Sequence, residues 1–189
     1  MDSIKNYLES FGILSKEEIK LLLECGSWKK IKKDQFFIRD GQVSKEVAFI
    51  KSGFFRSFYH RAENEITYCF TFAGEFLTAY SSFITGEKTV ENICAMADAE
   101  IFSIPLKDIR RLERSAPGFT VLSKVLAEQE FVKMEKRVFQ LLMENAEQKY
   151  LDLLQSHPGY LQLIPLHHLA SYLGITQRHL SRIRRSIMI

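Results

Sequence analysis

The residues best suited to chemistry lie close together in the last part of the chain. Between Tyr160 and Ile189 stand four arginines, Arg178, Arg182, Arg184 and Arg185, and no aspartate or glutamate. Before that segment acids and bases are mixed almost evenly, so the small formal net charge of +3 hides a local positive field. The run Gln177-Arg178-His179-Leu180-Ser181-Arg182-Ile183-Arg184-Arg185 reads as a short helix whose Leu180 and Ile183 turn inward. Gln177, Arg178, Ser181 and Arg182 then face out together. Arginine can pair with guanine O6 and N7, and glutamine with adenine N6 and N7, so these four are candidates for reading bases in the major groove of double-stranded DNA. Arg184, Arg185, His167 and the backbone amide of Thr176 suit phosphates, which set register and salt dependence without reading sequence.

Two short helices around a tight turn would present such a surface. Leu169, Leu173, Ile175, Leu180 and Ile183 supply a shared core, Ala170 is small where the helices approach, Gly174 suits the positive φ of the turn, and Thr176 caps the second helix. Ahead of this pair, Tyr160 to Ile164 alternates as a short strand, and His157-Pro158-Gly159 stops a preceding helical run. That run has no glycine or proline between Phe119 and His157. Ser115 is expected to cap it and Pro117 to lie in its first turn. Leu122, Val125, Gln129, Val132, Lys136, Phe139 and Met143 fall on one seam at spacings of three and four, with Gln129 and Lys136 as polar interruptions. A helix of this length exceeds what one small domain needs, so Leu122, Val125, Gln129, Val132 and Phe139 are candidates for a homodimer interface. The alternative is that the stripe packs on its own domain.

The first part of the chain reads differently. Ser3 to Glu24 shows the spacing of two short helices, with Ser15 and Glu18 as a capping box for the second. From Trp28 to Pro105 there are short β-rich runs at 36–38, 47–50, 54–59, 66–72, 93–96 and 101–104, separated by Asp40-Gly41, Ser52-Gly53, Ala73-Gly74 and Thr85-Gly86. Strands broken this often suggest a β-sandwich or roll. The expected organisation is α+β: residues 1–114 a β-roll with N-terminal helices, 115–143 a central helix, and 144–189 a helix-turn-helix domain.

Enzyme chemistry is not expected. The sequence lacks a nucleophile elbow, a P-loop and a dinucleotide fingerprint, and His60 is the sole histidine before His157, too few for a metal-dependent roll enzyme. Cys25, Cys69 and Cys94 are widely spaced and odd in number, which suits reduced core thiols rather than disulfides or a metal site. There is no export signal and no apolar run of membrane-spanning length, so a cytoplasmic location is expected. A ligand-binding or adaptor module whose last domain contacts protein is the competing reading.

The glycine-punctuated roll, the long helix, and Leu169-Ala170-Ser171-Tyr172-Leu173-Gly174-Ile175-Thr176 leading to Leu180-Ser181-Arg182-Ile183-Arg184-Arg185 resemble the Crp/Fnr family of bacterial transcription regulators. The resemblance implies an N-terminal double-stranded β-helix or jelly roll of the cyclic-nucleotide-binding kind, a dimerising central helix and a winged-helix-type helix-turn-helix. It implies a homodimer on a palindromic site, RNA polymerase as a further partner, and base contacts from Gln177, Arg178 and Arg182. The relative that binds cyclic AMP has Arg-Glu at the first two positions, so a different operator is expected. In cyclic-nucleotide binders a Gly-Glu pair holds the ribose and an Arg-Ser or Arg-Thr pair holds the phosphate. Here the effector pocket would comprise Gly74, Glu75, Lys88 and Thr89, with no arginine and with Glu87 and Glu91 nearby. Losing the guanidinium while gaining carboxylates disfavours a phosphate, so cyclic AMP is not the expected effector. Neither an iron-sulfur cluster nor haem is expected with three dispersed cysteines and one histidine in the roll. No cofactor or metal is assigned.

Overall fold

The structure, a computed structural model, describes residues 2–156 and 158–187. Two helices open the chain, α1 (Asp2–Ser10) and α2 (Lys16–Glu24). The capping box at α2 forms as expected: Ser15 Oγ accepts from the Glu18 amide at 3.2 Å, and the Glu18 carboxylate accepts from the Ser15 amide at 2.8 Å. Eight strands follow, interrupted by one short helix: β1 (Ser27–Ile31), β2 (Phe36–Ile38), β3 (Glu46–Ser52), β4 (Phe54–Arg61), β5 (Asn64–Phe72), β6 (Phe76–Leu77), α3 (Tyr80–Thr85), β7 (Glu91–Ala95) and β8 (Ala99–Pro105). The rest is helical: α4 (Leu106–Ser115), α5 (Pro117–Met143), α6 (Ala146–Ser156), α7 (Pro158–Leu161), α8 (Leu166–Leu173) and α9 (Gln177–Ile187).

The strands form two four-stranded sheets, ordered β1-β8-β3-β6 and β2-β7-β4-β5, the jelly-roll arrangement expected. In the first sheet Phe49 pairs with Phe102 and Ile50 with Ile101, antiparallel. Alternation along these strands serves two cores at once. Phe49, Phe102 and Ile104 pack against Ile4, Leu8, Ile19, Leu22, Leu112 and Phe119 of the helices, while Ala48, Ile50 and Ile101 meet Ile38, Phe55 and Ile93. Gly53, at φ 82°, turns β3 into β4, and a Cβ there would lie 2.7 Å from that of Ala99, so both conformation and space require glycine.

Contacts divide the chain into two compact units, Met1–Phe58 with Phe70–Glu128, and Tyr59–Cys69 with Gln129–Ile189. The first half of α5 thus belongs to the roll and the second half to the C-terminal unit, as does the tip of the β4–β5 hairpin. Among the described residues no helix is long and apolar enough to cross a membrane.

Five expectations need correction. Ser115 does not cap the long helix; it ends α4, its hydroxyl donating to the Leu112 carbonyl, and α5 starts on Pro117. Residues 160–164 are not a strand: helix α7 ends on Leu161, and Leu161 and Ile164 are both buried while Leu163 is exposed, a spacing that a turn of helix satisfies and a strand does not. The described residues beyond Glu144 are helices and turns, so no wing strand is seen among them. The cysteines are half-buried rather than fully in the core. Leu122 is 4% exposed and sits in the core of its own chain, which removes it from a dimer seam. His157, read as the end of the helical run, lies outside the described residues.

Candidate nucleic-acid interface

Helices α8 and α9 meet through Leu169, Ala170, Leu173, Leu180 and Ile183, all buried, and Leu180 is fully so. Ile175, counted with this core from sequence, is half-buried. The turn between the helices is fixed by backbone chemistry. Gly174 takes φ 72°, ψ 30°, its amide donates to the Ser171 carbonyl at 3.1 Å, and the Ile175 amide reaches back to the Ala170 carbonyl at 3.0 Å. That pattern satisfies carbonyls at the end of α8, and glycine adopts it without a Cβ penalty. Thr176 then caps α9 by accepting from the His179 amide at 3.2 Å.

Turning about 100° per residue, α9 places Arg178, Ser181, Arg182 and Arg185 on one stripe opposite Leu180 and Ile183. Arg178, Arg182 and Arg185 are exposed and Ser181 is half-buried, its hydroxyl donating to the Gln177 carbonyl at 3.0 Å. Gln177 is exposed at the N-terminal margin of the stripe. Arg184 and Arg185 part company: Arg184 is half-buried beside Leu180 one turn away, whereas Arg185 continues the outward stripe and its Nε donates to the Ser181 carbonyl at 3.4 Å. Both lie in the last turn, where cations suit the helix dipole. Thr176 and His167 are exposed, and the His167 ring lies 3.8 Å from that of His168.

Sequence reasoning missed what holds α8 from behind. The Ser171 hydroxyl donates to the Glu65 carbonyl at 2.9 Å and accepts from the Thr67 amide at 3.0 Å, both on β5. Beside it, the Arg137 guanidinium of α5 lies 3.8 Å over the Tyr172 ring and donates to the Tyr172 carbonyl. Burial pushes the Tyr172 phenol above its ordinary range. A serine inside an apolar helix was the available sequence signal, but its partner lies 104 residues away.

The residues named for an effector pocket play local roles. Gly74, at φ 92°, makes the turn after β5, and the Glu75 carboxylate accepts from the Phe72 amide at 2.8 Å within that turn. Lys88 is exposed, and Thr89 is buried with Oγ1 accepting from the Glu91 amide at 3.1 Å. Glu91 is itself 6% exposed. A second buried charge in the roll went unnoticed in the sequence: Arg56, 3% exposed, with its guanidinium 4.0 Å over the Phe58 ring.

Residues 28–115 match the family model of the cyclic nucleotide-binding domain. No curated protein matches the sequence. Among solved structures, a Crp/Fnr-family transcriptional regulator from Eubacterium rectale aligns with a TM-score of 0.75 at 17% identity, over 97% of this chain and 88% of that one. FixK2 from Bradyrhizobium japonicum aligns at 0.76 and 13%, over 86% and 84% of the two chains. The Thermus thermophilus catabolite activator protein aligns at 0.54 and 20%, over 93% and 84%. This chain has the Crp/Fnr fold. Within that fold, the matched domain spans β1 to the end of α4, and the helix pair α8–α9 stands where the sequence resemblance put it. The outward stripe of α9 carries no acidic residue.

Proposed function

We propose that this protein is a sequence-specific, DNA-binding transcription regulator of the Crp/Fnr type that acts as a homodimer on a palindromic site in the cytoplasm. The observation that carries the reading is the stripe Arg178, Ser181, Arg182 and Arg185, turned outward by buried Leu180 and Ile183 on a helix without an acidic residue. Inserted in the major groove, Gln177, Arg178, Ser181 and Arg182 contact base edges. His167, Thr176, Arg184 and Arg185 contact phosphates, Arg185 doing so from the end of the same stripe.

The second half of α5 supports a second copy as partner. Phe131, Phe139, Leu142 and Met143 are 69%, 59%, 77% and 71% exposed, an apolar band that a lone chain leaves in water. Val132 and Gln129 share that exposed half, and half-buried Val125 lies one turn before it. In a homodimer on a palindromic site the two α9 helices would read half-sites about 34 Å apart, one turn of duplex.

The roll is read as a sensor for an effector other than cyclic AMP, and RNA polymerase as a partner at the promoter. Buried Glu91 next to Thr89, with Lys88 out in solvent, disfavours a cyclic phosphate there. Selection of bound duplexes from random DNA by the purified protein tests the reading. A two-fold symmetric consensus is expected; recovery of no consensus above background would refute it and favour an adaptor that contacts protein.

A further inference from the structure

The strands β4 and β5 run out of the roll into a hairpin tip, Tyr59–Cys69, that packs with the C-terminal unit. β5 stands at the end of its sheet, so the edge turned away from β4 offers backbone groups to whatever lies beside it. Along a strand, residues i and i+2 point their backbone groups to the same edge. Ser171 uses this geometry. One hydroxyl bridges the Glu65 carbonyl and the Thr67 amide, acting as donor to the first and acceptor to the second. The next residue, Tyr172, is held through its carbonyl and its ring by Arg137.

We propose that Ser171 is a positioning residue, a clip by which the outer edge of the β4–β5 hairpin fixes the helix pair α8–α9 for DNA binding. The inference rests on the DNA-binding reading above. Ser171 lies in the last turn of α8, three residues before Gly174, so the turn that launches α9 is built directly on the clipped segment. Loosening it lets α8–α9 sample other orientations, and that freedom must then be lost on binding. Any event that shifts the hairpin edge therefore changes DNA affinity without touching a DNA contact.

The test compares the full-length protein with Ser171→Ala and Ser171→Thr, the latter keeping the hydroxyl. Amide hydrogen exchange is read at Thr67, with Gly174 and Ile175 reporting that the helix turn is intact. Binding is measured to the selected duplex and to mixed-sequence DNA. Ser171→Ala is expected to speed exchange at Thr67 roughly three- to tenfold and to weaken binding to the selected duplex by a similar factor, with mixed-sequence binding unchanged and Ser171→Thr close to wild type. Unchanged Thr67 exchange overturns the clip, and faster exchange with unchanged or tighter binding to the selected duplex overturns its positioning role. A wild-type protein that binds no duplex would instead sink the regulator reading, and with it the positioning role, while the Thr67 amide still reports whether the clip exists.

Discussion

At the scale of single residues, the two ends of α9 are assigned different tasks. Arg182 is exposed one turn beyond Arg178 in mid-helix, whereas Arg185 lies in the last turn. Arg182→Ala should therefore lower discrimination at one base position by about 1–3 kcal/mol, while Arg185→Ala should weaken all duplexes alike. A panel of duplexes carrying every single-base change reads both, and equal losses on every duplex from the two variants would refute the division. Gly174 is a cleaner case, because nothing lies within 4 Å of a Cβ built there and only its φ of 72° resists substitution. Gly174→Ala should cost about 1–2 kcal/mol by chemical denaturation. Leu180, fully buried between the helices, should cost about 2–5 kcal/mol as alanine and abolish DNA binding with it.

At the scale of elements, Tyr172 supplies a pH dependence for the C-terminal unit. Its phenol is raised chiefly by burial, so the folded state favours the neutral form. A raised value gives stability that is fully present below the ordinary tyrosine range near ~10 and is lost as pH climbs through the folded value. Denaturation midpoints should fall above that range, and less steeply in Tyr172→Phe; identical slopes would contradict the assignment. The same element shows what a sequence can and cannot reveal. The turn at Gly174, the cap at Thr176 and the buried leucines follow local spacing, so α8 and α9 were legible, as were α2 and the strands from 36 to 72. β1 was not, because Lys29 and Lys30 break its alternation and pairing with β8 is what makes it a strand. α7 was misread because Leu161 and Leu163 alternate with Gln162 in the sequence, whereas the pair the fold buries is Leu161 and Ile164, with Leu163 exposed. The Ser171 clip was invisible, since a hydroxyl carries no signal of a strand edge more than 100 residues upstream.

At the scale of the molecule, a roll, a long helix and an arginine-bearing helix follow one another along the chain. α5 extends about 40 Å at 1.5 Å per residue over its 27 residues. Its first turns are anchored in the roll by Phe119 and Leu122, and its exposed apolar half is where a second copy would seat. Phe139→Glu should accordingly shift the purified protein from dimer to monomer in sedimentation and weaken the selected palindrome far more than a half-site; a dimer that persists would move the interface elsewhere. If α9 meets a polyanion, the affinity of the wild-type protein for duplex DNA must depend on salt. With phosphate contacts from both copies, the logarithm of affinity should fall linearly with the logarithm of salt at a slope of about −3 to −6. An affinity indifferent to salt, or no binding even at low salt, would contradict it.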